Sequence, residues 1–252
     1  MSDHPALETI GLQKRFGGLV ATSDVTFRLE RGARHALIGP NGAGKTTFIN
    51  LLTGVLKPSG GTIRMDGVDI TQESRHARVR RGLSRTFQIN QLFPDLTPLQ
   101  TLMLAICERE GRGSRWWTAL AGERDTAREA AGILERFHLT ETMNQRTGDL
   151  AYGRQRLLEI AVAFAARPRA LLLDEPAAGV PEEERHEILG IVRSLPAEVS
   201  ILLIEHDMDL VFSFADRITV LVAGSLLAEG PPSEISTDRR VRTAYLGEDA
   251  AA

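Results

Sequence analysis

Gly39-Pro40-Asn41-Gly42-Ala43-Gly44-Lys45-Thr46 decides the fold of this chain. The stretch fits G-x-x-x-x-G-K-[ST], a phosphate-binding loop. Before it, His35-Ala36-Leu37-Ile38 reads as a short buried strand. After it, Thr47–Leu52 reads as a helix with apolar positions at helical spacing. Glycines let the backbone curl until successive N–H groups point inward at an anion. The helix start adds unpaired N–H groups and a partial positive charge. In that arrangement Lys45 reaches the β- and γ-phosphates and the Thr46 hydroxyl ligates Mg²⁺. Lys45 is one of only three lysines beside 27 arginines, so lysine is not scattered here.

The 252 residues allow one large α/β domain or a core with a smaller subdomain. A net charge of −3 argues against a general nucleic-acid surface. Cys107 is the only cysteine, which excludes a disulfide framework and fits a reducing cytoplasm. Met1–Pro5 lacks a charged-then-apolar leader. Apolar runs such as Ile160–Ala166 fall far short of the ~18 residues that span a bilayer. The expectation is a cytoplasmic protein that can dock to a membrane without crossing it.

Upstream of the loop, Leu7–Phe16 and Val25–Leu29 read as strands, the first ending in Gly17-Gly18. Thr62–Met65 and Val68–Ile70 flank Asp66-Gly67, a two-residue hairpin signal. Residues 74–81 carry Arg75, Arg78, Arg80 and Arg81 and read as a short exposed helix. Its arginines are expected to be a solvated face, with lipid headgroups or a partner as the alternative. Leu83–Gln88 reads as a strand ending on a polar residue. From Pro94 to about Thr147 there are no good strands, and Thr97-Pro98 opens a helix. A second helix covers Glu123–His138, and Trp116-Trp117 are expected to pack locally.

Gly153–Ala166 reads as a helix stopped by Arg167-Pro168. The apolar strand Ala170–Leu173 ends in Asp174-Glu175-Pro176, and Val199–Ile204 ends at Glu205-His206. Helices over Pro181–Leu195 and Met208–Phe214, a strand over Ile218–Val222 and a hairpin arm over Gly224–Gly230 follow. Apolar strands separated by helices imply a parallel sheet covered on both faces. Such sheets carry their functional loops at the carboxyl ends of the strands. Four of those ends here are polar, at Gly39, Gln88, Asp174-Glu175 and His206, and are expected to converge. Asp174 sits where a carboxylate holds Mg²⁺. Glu175 is placed to polarise water for in-line attack, Gln88 to ligate Mg²⁺ or that water, and His206 to bond the γ-phosphate.

In this order the motifs resemble the nucleotide-binding subunit of ATP-binding-cassette transporters over nearly the whole chain. Gly39–Thr46 resembles Walker A, Arg85-Thr86-Phe87-Gln88 the Q-loop, and Leu171–Pro176 Walker B. Leu150-Ala151-Tyr152-Gly153-Arg154-Gln155 resembles the signature motif, and Glu205-His206-Asp207 the switch histidine. The resemblance implies an α/β fold: a P-loop NTPase core with a mixed sheet, an N-terminal antiparallel β subdomain and an inserted helical subdomain. It implies one nucleotide-binding domain over residues 1–252, with the core and β part in 1–93 and 148–252 and the helical part in 94–147. ATP and Mg²⁺ are the implied cofactors. Nucleotide contacts fall on Phe16, where the family stacks an aromatic ring on adenine, on Gly39, Pro40, Asn41, Gly42, Ala43, Gly44, Lys45, Thr46 and Thr47, and on Ala151, Gly153 and Gln155. Metal contacts fall on Thr46, Gln88 and Asp174, and catalysis on Glu175, His206 and Gln88.

Within that family the chain is most similar to the ATP subunits of branched-chain amino acid importers. Lys14-Arg15-Phe16-Gly17-Gly18, Leu92-Phe93-Pro94, Tyr152, Pro176-Ala177-Ala178-Gly179 and the tail Ala244-Tyr245-Leu246-Gly247 carry the similarity. Urea and lipopolysaccharide-export subunits share parts of the pattern. The resemblance implies ATPase activity coupled to import, and a place on the inner face of the cell membrane. Its implied partners are integral-membrane permeases, a second copy or a related ATP subunit and, indirectly, a solute-binding protein outside the membrane. Nucleic acid is not among them. Two departures stand out. Ala151 replaces the signature serine, and Pro181 stands where the family has an acidic or amide residue after Walker B. The first removes a hydroxyl bond worth roughly 1.5–3 kcal/mol to a charged group. The second touches the loop that couples the two sites of a dimer. A degenerate, regulatory cassette and a soluble cassette ATPase acting on DNA or ribosomes are the alternatives.

Overall fold

The computed structural model describes residues 4–86, 92–112 and 124–246. Gln88 and Trp116-Trp117 lie outside the described residues. The chain forms two compact units, one from residues 1–83, 169–175 and 195–252, the other from 84–168 and 176–194.

The first unit opens with strands β1 (Leu7–Phe16) and β2 (Leu19–Leu29). Then come β3 (Arg34–Ile38), helix α1 (Lys45–Leu52), β4 (Gly60–Met65) and β5 (Val68–Asp69). One antiparallel sheet runs in the order β2-β1-β4-β5. Met65 pairs with Val68, leaving Asp66-Gly67 as the two-residue turn, and both turn residues have positive φ (51° and 82°). That is the twist a tight hairpin needs, and glycine and aspartate adopt it most readily.

The second sheet contains β3, β6 (Leu83–Arg85), β7 (Ala170–Asp174), β8 (Ser200–Ile204), β9 (Arg217–Val222) and β10 (Ser225–Gly230). Its order is β10-β9-β3-β8-β7-β6. The strands from β9 to β7 are parallel, and β10 is antiparallel to β9, so the sheet is mixed. Every residue of β3, β7 and β8 is buried, which explains the apolar runs Ala170–Leu173 and Ile201–Ile204. Phe48, Ile49, Leu51 and Leu52 of α1 join Leu7, Phe27, Leu172 and Leu202 in one core under both sheets. Each such side chain contributes about 1.5–3 kcal/mol on burial.

Helix α2 (Arg75–Arg80) forms as expected, capped by the Ser74 hydroxyl, but its arginines are not all solvated. Arg78 is buried. Its Nη1 donates to the Leu51 and Leu52 carbonyls (2.7 and 2.6 Å), its Nη2 to Thr71 O (2.9 Å) and its Nε to Glu73 O (3.3 Å). The last carbonyls of a helix lack intrahelical donors. Arg78 supplies them at the end of α1 opposite the phosphate loop. The solvated-face expectation therefore fails at this residue.

A second buried polar group sits in β3. The His35 Nε2 lies 2.8 Å from Thr219 Oγ1, and that hydroxyl donates to Glu229 Oε2 (3.0 Å). Because Thr219 spends its one proton on Glu229, His35 donates from Nε2, leaving Nδ1 buried and bare among the described residues. Burial, opposed by Glu229 and assisted by Arg217, lowers the His35 pKa to about 4.

The second unit holds α3 (Pro98–Arg109), α4 (Arg124–Arg136), α5 (Tyr152–Ala165) and α6 (Glu182–Arg193), and its described residues from 92 to 168 contain no strand. Thr97 and Gln100 form a reciprocal capping box with Pro98 in the first turn. Arg109 ties three segments together, with a two-pronged bond to Glu129 (2.6 and 3.0 Å) and one to Ala165 O (3.0 Å). The first unit is completed by α7 (Met208–Phe214), α8 (Pro232–Ile235) and α9 (Arg239–Leu246). Neither α8 nor α9 is foreseen by the sequence reading, which assigns no helix or strand after Gly230.

Two measurements check these buried polar groups. Arg78→Ala strands the α1 carbonyls and is expected to cost about 2–4 kcal/mol in urea unfolding, where a solvated arginine costs under about 0.5. For His35, the folded pKa lies below the usual 6.5, so the unfolded chain binds its proton first as pH falls. Its stabilisation is present above pH 6.5 and lost as pH falls from 6.5 to about 4. In His35→Gln the unfolding midpoint is expected to vary less over that window, and equal slopes would contradict the assignment.

Candidate functional site

The site in the first unit is built where β3 ends. Gly39 turns the chain out of the sheet with φ 156°, and a Cβ there would lie 2.1 Å from Leu221 O. At Gly44 (φ 99°) a Cβ would lie 2.6 Å from Ala21 O. No other residue type fits either position. Gly224 ties the loop down further, its N–H donating to Ala43 O (2.9 Å) and its carbonyl accepting from Ser23 N (2.8 Å).

Gly44 is the N-cap of α1 and offers no side-chain cap. The first bond into the helix is Phe48 N to Gly44 O (2.9 Å), so the amides of Lys45, Thr46 and Thr47 precede the intrahelical ladder. That is a ready anion site. The Lys45 ammonium folds back onto the loop, donating to Gly39 O (2.5 Å) and Pro40 O (3.1 Å). Burial lowers its pKa, while the Glu175 and Asp174 carboxylates pull the other way. Thr46 is exposed beside it.

Three of the four polar strand ends lie on neighbouring strands, β3, β8 and β7. Asp174 is buried at the end of β7, opposite Ile204 of β8. Glu175 follows with φ 48°, a left-handed backbone that is strained for glutamate, and its N–H donates to Ile204 O (3.0 Å). The turn brings Glu175 Oε1 to 3.6 Å from His206 Nδ1. The fourth end, Gln88, lies outside the described residues.

His206 is 63% exposed at its side chain, while neighbouring Glu205 is 2% exposed. The Glu205 carboxylate accepts from His206 N (3.2 Å) and lies 3.8 Å from the ring Nδ1. Sequence reasoning recorded Glu205 only as a strand end. An acid closing the apolar run Ile201–Ile204 is the signal that could have marked it. Asp207 then caps α7 by accepting from Asp209 N and Leu210 N (3.1 and 3.3 Å).

Phe16 pairs with Leu19 at the tip of the β1–β2 hairpin and is 46% exposed. Two residues beyond Leu19, Ala21 meets Gly44. Lys14 Nζ lies 4.9 Å from the Phe16 ring centroid and donates to Lys57 O (2.8 Å), which fixes the ring.

The Leu150–Gln155 segment belongs to the second unit. Ala151 is the N-cap of α5 and contributes no side-chain bond. Gln155 Nε2 donates back to Leu150 O (2.9 Å). Gly153 is buried against Glu184 of α6, whose Oε2 would lie 2.0 Å from a Cβ there. A cavity of about 150 Å³ lies beside them, lined by Ala151, Gly153, Arg154, Leu157, Glu184 and Ile188. No helix among the described residues is long and apolar enough to cross a membrane.

Comparison with known proteins agrees with this geometry. Residues 22–178 match the ABC transporter family, and residues 225–251 match the family described as branched-chain amino acid ATP-binding cassette transporter. The chain is 43% identical to the high-affinity branched-chain amino acid transport ATP-binding protein BraF of Pseudomonas aeruginosa, over 97% of this chain and 98% of that protein. It is 40% identical to LivG of Escherichia coli, which carries the same description, over 97% and 98%. Among solved structures, the ADP conformation of MJ1267, an ATP-binding cassette of an ABC transporter, superposes with a TM-score of 0.84 at 32% identity, covering 96% of this chain and 99% of that one. The chain belongs to the ABC transporter family, as one of the ATP-hydrolysing cassettes that drive transport.

Proposed function

We propose that this chain hydrolyses ATP to energise import of branched-chain or related amino acids through a separate membrane permease. The observation that carries the reading is similarity along the full length to BraF and LivG, including the separate match over residues 225–251. The phosphate-loop geometry supports the residue roles.

In this reading the triphosphate lies on the amides of α1, and Lys45 leaves the Gly39 and Pro40 carbonyls for the β- and γ-phosphates. Phe16 offers an exposed ring face to adenine. The Thr46 hydroxyl and Asp174 carboxylate are hard oxygen donors that suit Mg²⁺ bound with the nucleotide. Such an ion neutralises charge that develops on the phosphates. Glu175 takes the proton of the attacking water as the water oxygen bonds the γ-phosphorus and the bond to the β–γ bridging oxygen breaks, leaving ADP and phosphate. His206 bonds a γ-phosphate oxygen, and Glu205 holds its backbone in place. Gln88 is assigned to the metal and the water by resemblance.

Two ATP subunits pair head to tail, so that Ala151, Gly153 and Gln155 of each meet the γ-phosphate held by the other. The γ-phosphate is then the contact that distinguishes closed from open dimer. The missing Ala151 hydroxyl weakens that contact without removing the backbone donors. The α3–α4 region grips the permease on the cytoplasmic side of the membrane.

Glu175→Gln is expected to keep ATP binding, to slow hydrolysis by about 10²-fold or more, and to trap an ATP-bound dimer in sedimentation. Turnover close to wild type would contradict the role of Glu175. A wild-type chain that binds ATP without hydrolysing it would favour the regulatory cassette.

A further inference from the structure

The segment Pro176–Pro181 follows Glu175 in the chain and leads into α6. Helix α5 holds it at two places, through Tyr152 and Arg156, which stand one turn apart. Arg156 Nε donates to Pro176 O (3.2 Å), and Arg156 Nη1 donates to Glu159 Oε2 (2.6 Å). The Arg156 and Glu159 side chains are 4% and 10% exposed. Gly179 has φ 75°, and the Tyr152 ring lies where a side chain would stand. A Cβ there would be 3.2 Å from Cε1 and 3.4 Å from the hydroxyl. Ala177 and Val180 of the same segment are buried, and Arg185 Nε of α6 donates to Val180 O (2.8 Å).

Packing alone does not account for this arrangement. Pro176 has no N–H, so its carbonyl is the one main-chain group by which it can be bonded. The planar guanidinium of Arg156 bonds that carbonyl and Glu159 together, a fork that lysine lacks. A buried ion pair is a weak source of stability, because apolar residues of similar volume often serve as well. This pair is also incompletely satisfied, with Glu159 Oε1 buried and without a partner among the described residues. An apolar pair would avoid that cost and would lose the bond to Pro176. Pro181 supplies no substitute, since it caps α6 without a side-chain bond.

We propose that Arg156 is a positioning residue for the ATP site of the paired subunit. With Tyr152 it fastens the Pro176–Pro181 loop to the signature segment of its own chain, so that loop and signature meet that site as one preformed surface. The ordering is complete before the dimer closes, which lowers the cost of closure. The inference rests on the head-to-tail dimer of the proposed function.

The test combines Arg156→Met with Glu159→Met, which leaves no member of the pair charged and alone and is expected to keep the melting temperature near wild type. Deuterium uptake in the 176–181 peptide is expected to rise, while that of the α1 and β8 peptides stays the same. The Kd for ADP, read by displacement of a fluorescent ATP analogue, is expected to be unchanged, because ADP brings no γ-phosphate to a second chain. In the Glu175→Gln background the ATP-bound dimer is expected to bind about tenfold more weakly in sedimentation. Wild-type exchange in the loop or wild-type dimer affinity would overturn the proposal. A lowered melting temperature with weaker ADP binding and faster exchange throughout would also overturn it, leaving the pair a packing role. Should the double variant fail to fold, Arg156→Lys keeps a charge opposite Glu159 without the fork. It is expected to show the same two changes, and wild-type behaviour there would overturn the proposal. Absence of any ATP-dependent dimer in Glu175→Gln alone would instead defeat the dimer reading, a result distinct from a dimer that forms and ignores Arg156.

Discussion

Two backbone carbonyls, of Ala21 and Leu221, press against the phosphate loop where a side chain cannot exist. The constraint fixes much else. Ala21 belongs to β2 of the antiparallel sheet, and Leu221 to β9 of the mixed sheet. Both sheets thus close on one short loop, and Gly224 adds backbone bonds to Ala43 and Ser23 from the turn after β9. A loop clamped by main chain on two sides keeps its amides aimed without relying on flexible side chains. Preorganised donors of that kind make an anion site cheap to fill. At the far end of the same helix, Arg78 secures the last carbonyls, so α1 is fixed at both ends.

Much of this architecture was legible in the sequence, for physical reasons that differ from place to place. The strands β7 and β8 are buried on both faces, and a run such as Leu171-Leu172-Leu173 has no other comfortable home. The Asp66-Gly67 turn declared itself because left-handed backbone favours those residue types. The first half of β2 did not, since its exposed positions break the alternation that marked Val25–Leu29. Arg78 was hidden among other arginines, and only the position of the α1 terminus in space separates it from them. Helix α9 is rich in arginine, so its buried residue, Val241, left little trace.

The site divides along the same line. Asp174, Glu175 and His206 were foreseen because polar residues at the ends of parallel strands have one place to go. The structure puts Glu175 and His206 within 3.6 Å. Glu205 was not foreseen, because it acts through a backbone amide of its neighbour that sequence spacing does not reveal. The strained Glu175 backbone is equally invisible in a sequence, yet it sets the direction of the carboxylate. In the second unit, the Gly153 contact with Glu184 shows why a glycine stands there whatever the residue at 151 contributes.

The account stands or falls on coupling between this cassette and a membrane partner. The most direct measurement is capture of the tagged chain from detergent-solubilised native membranes, with its partners identified by mass spectrometry. The account predicts recovery of multi-span permease subunits, with either more copies of this chain or a related ATP subunit. Recovery of soluble proteins alone would contradict it.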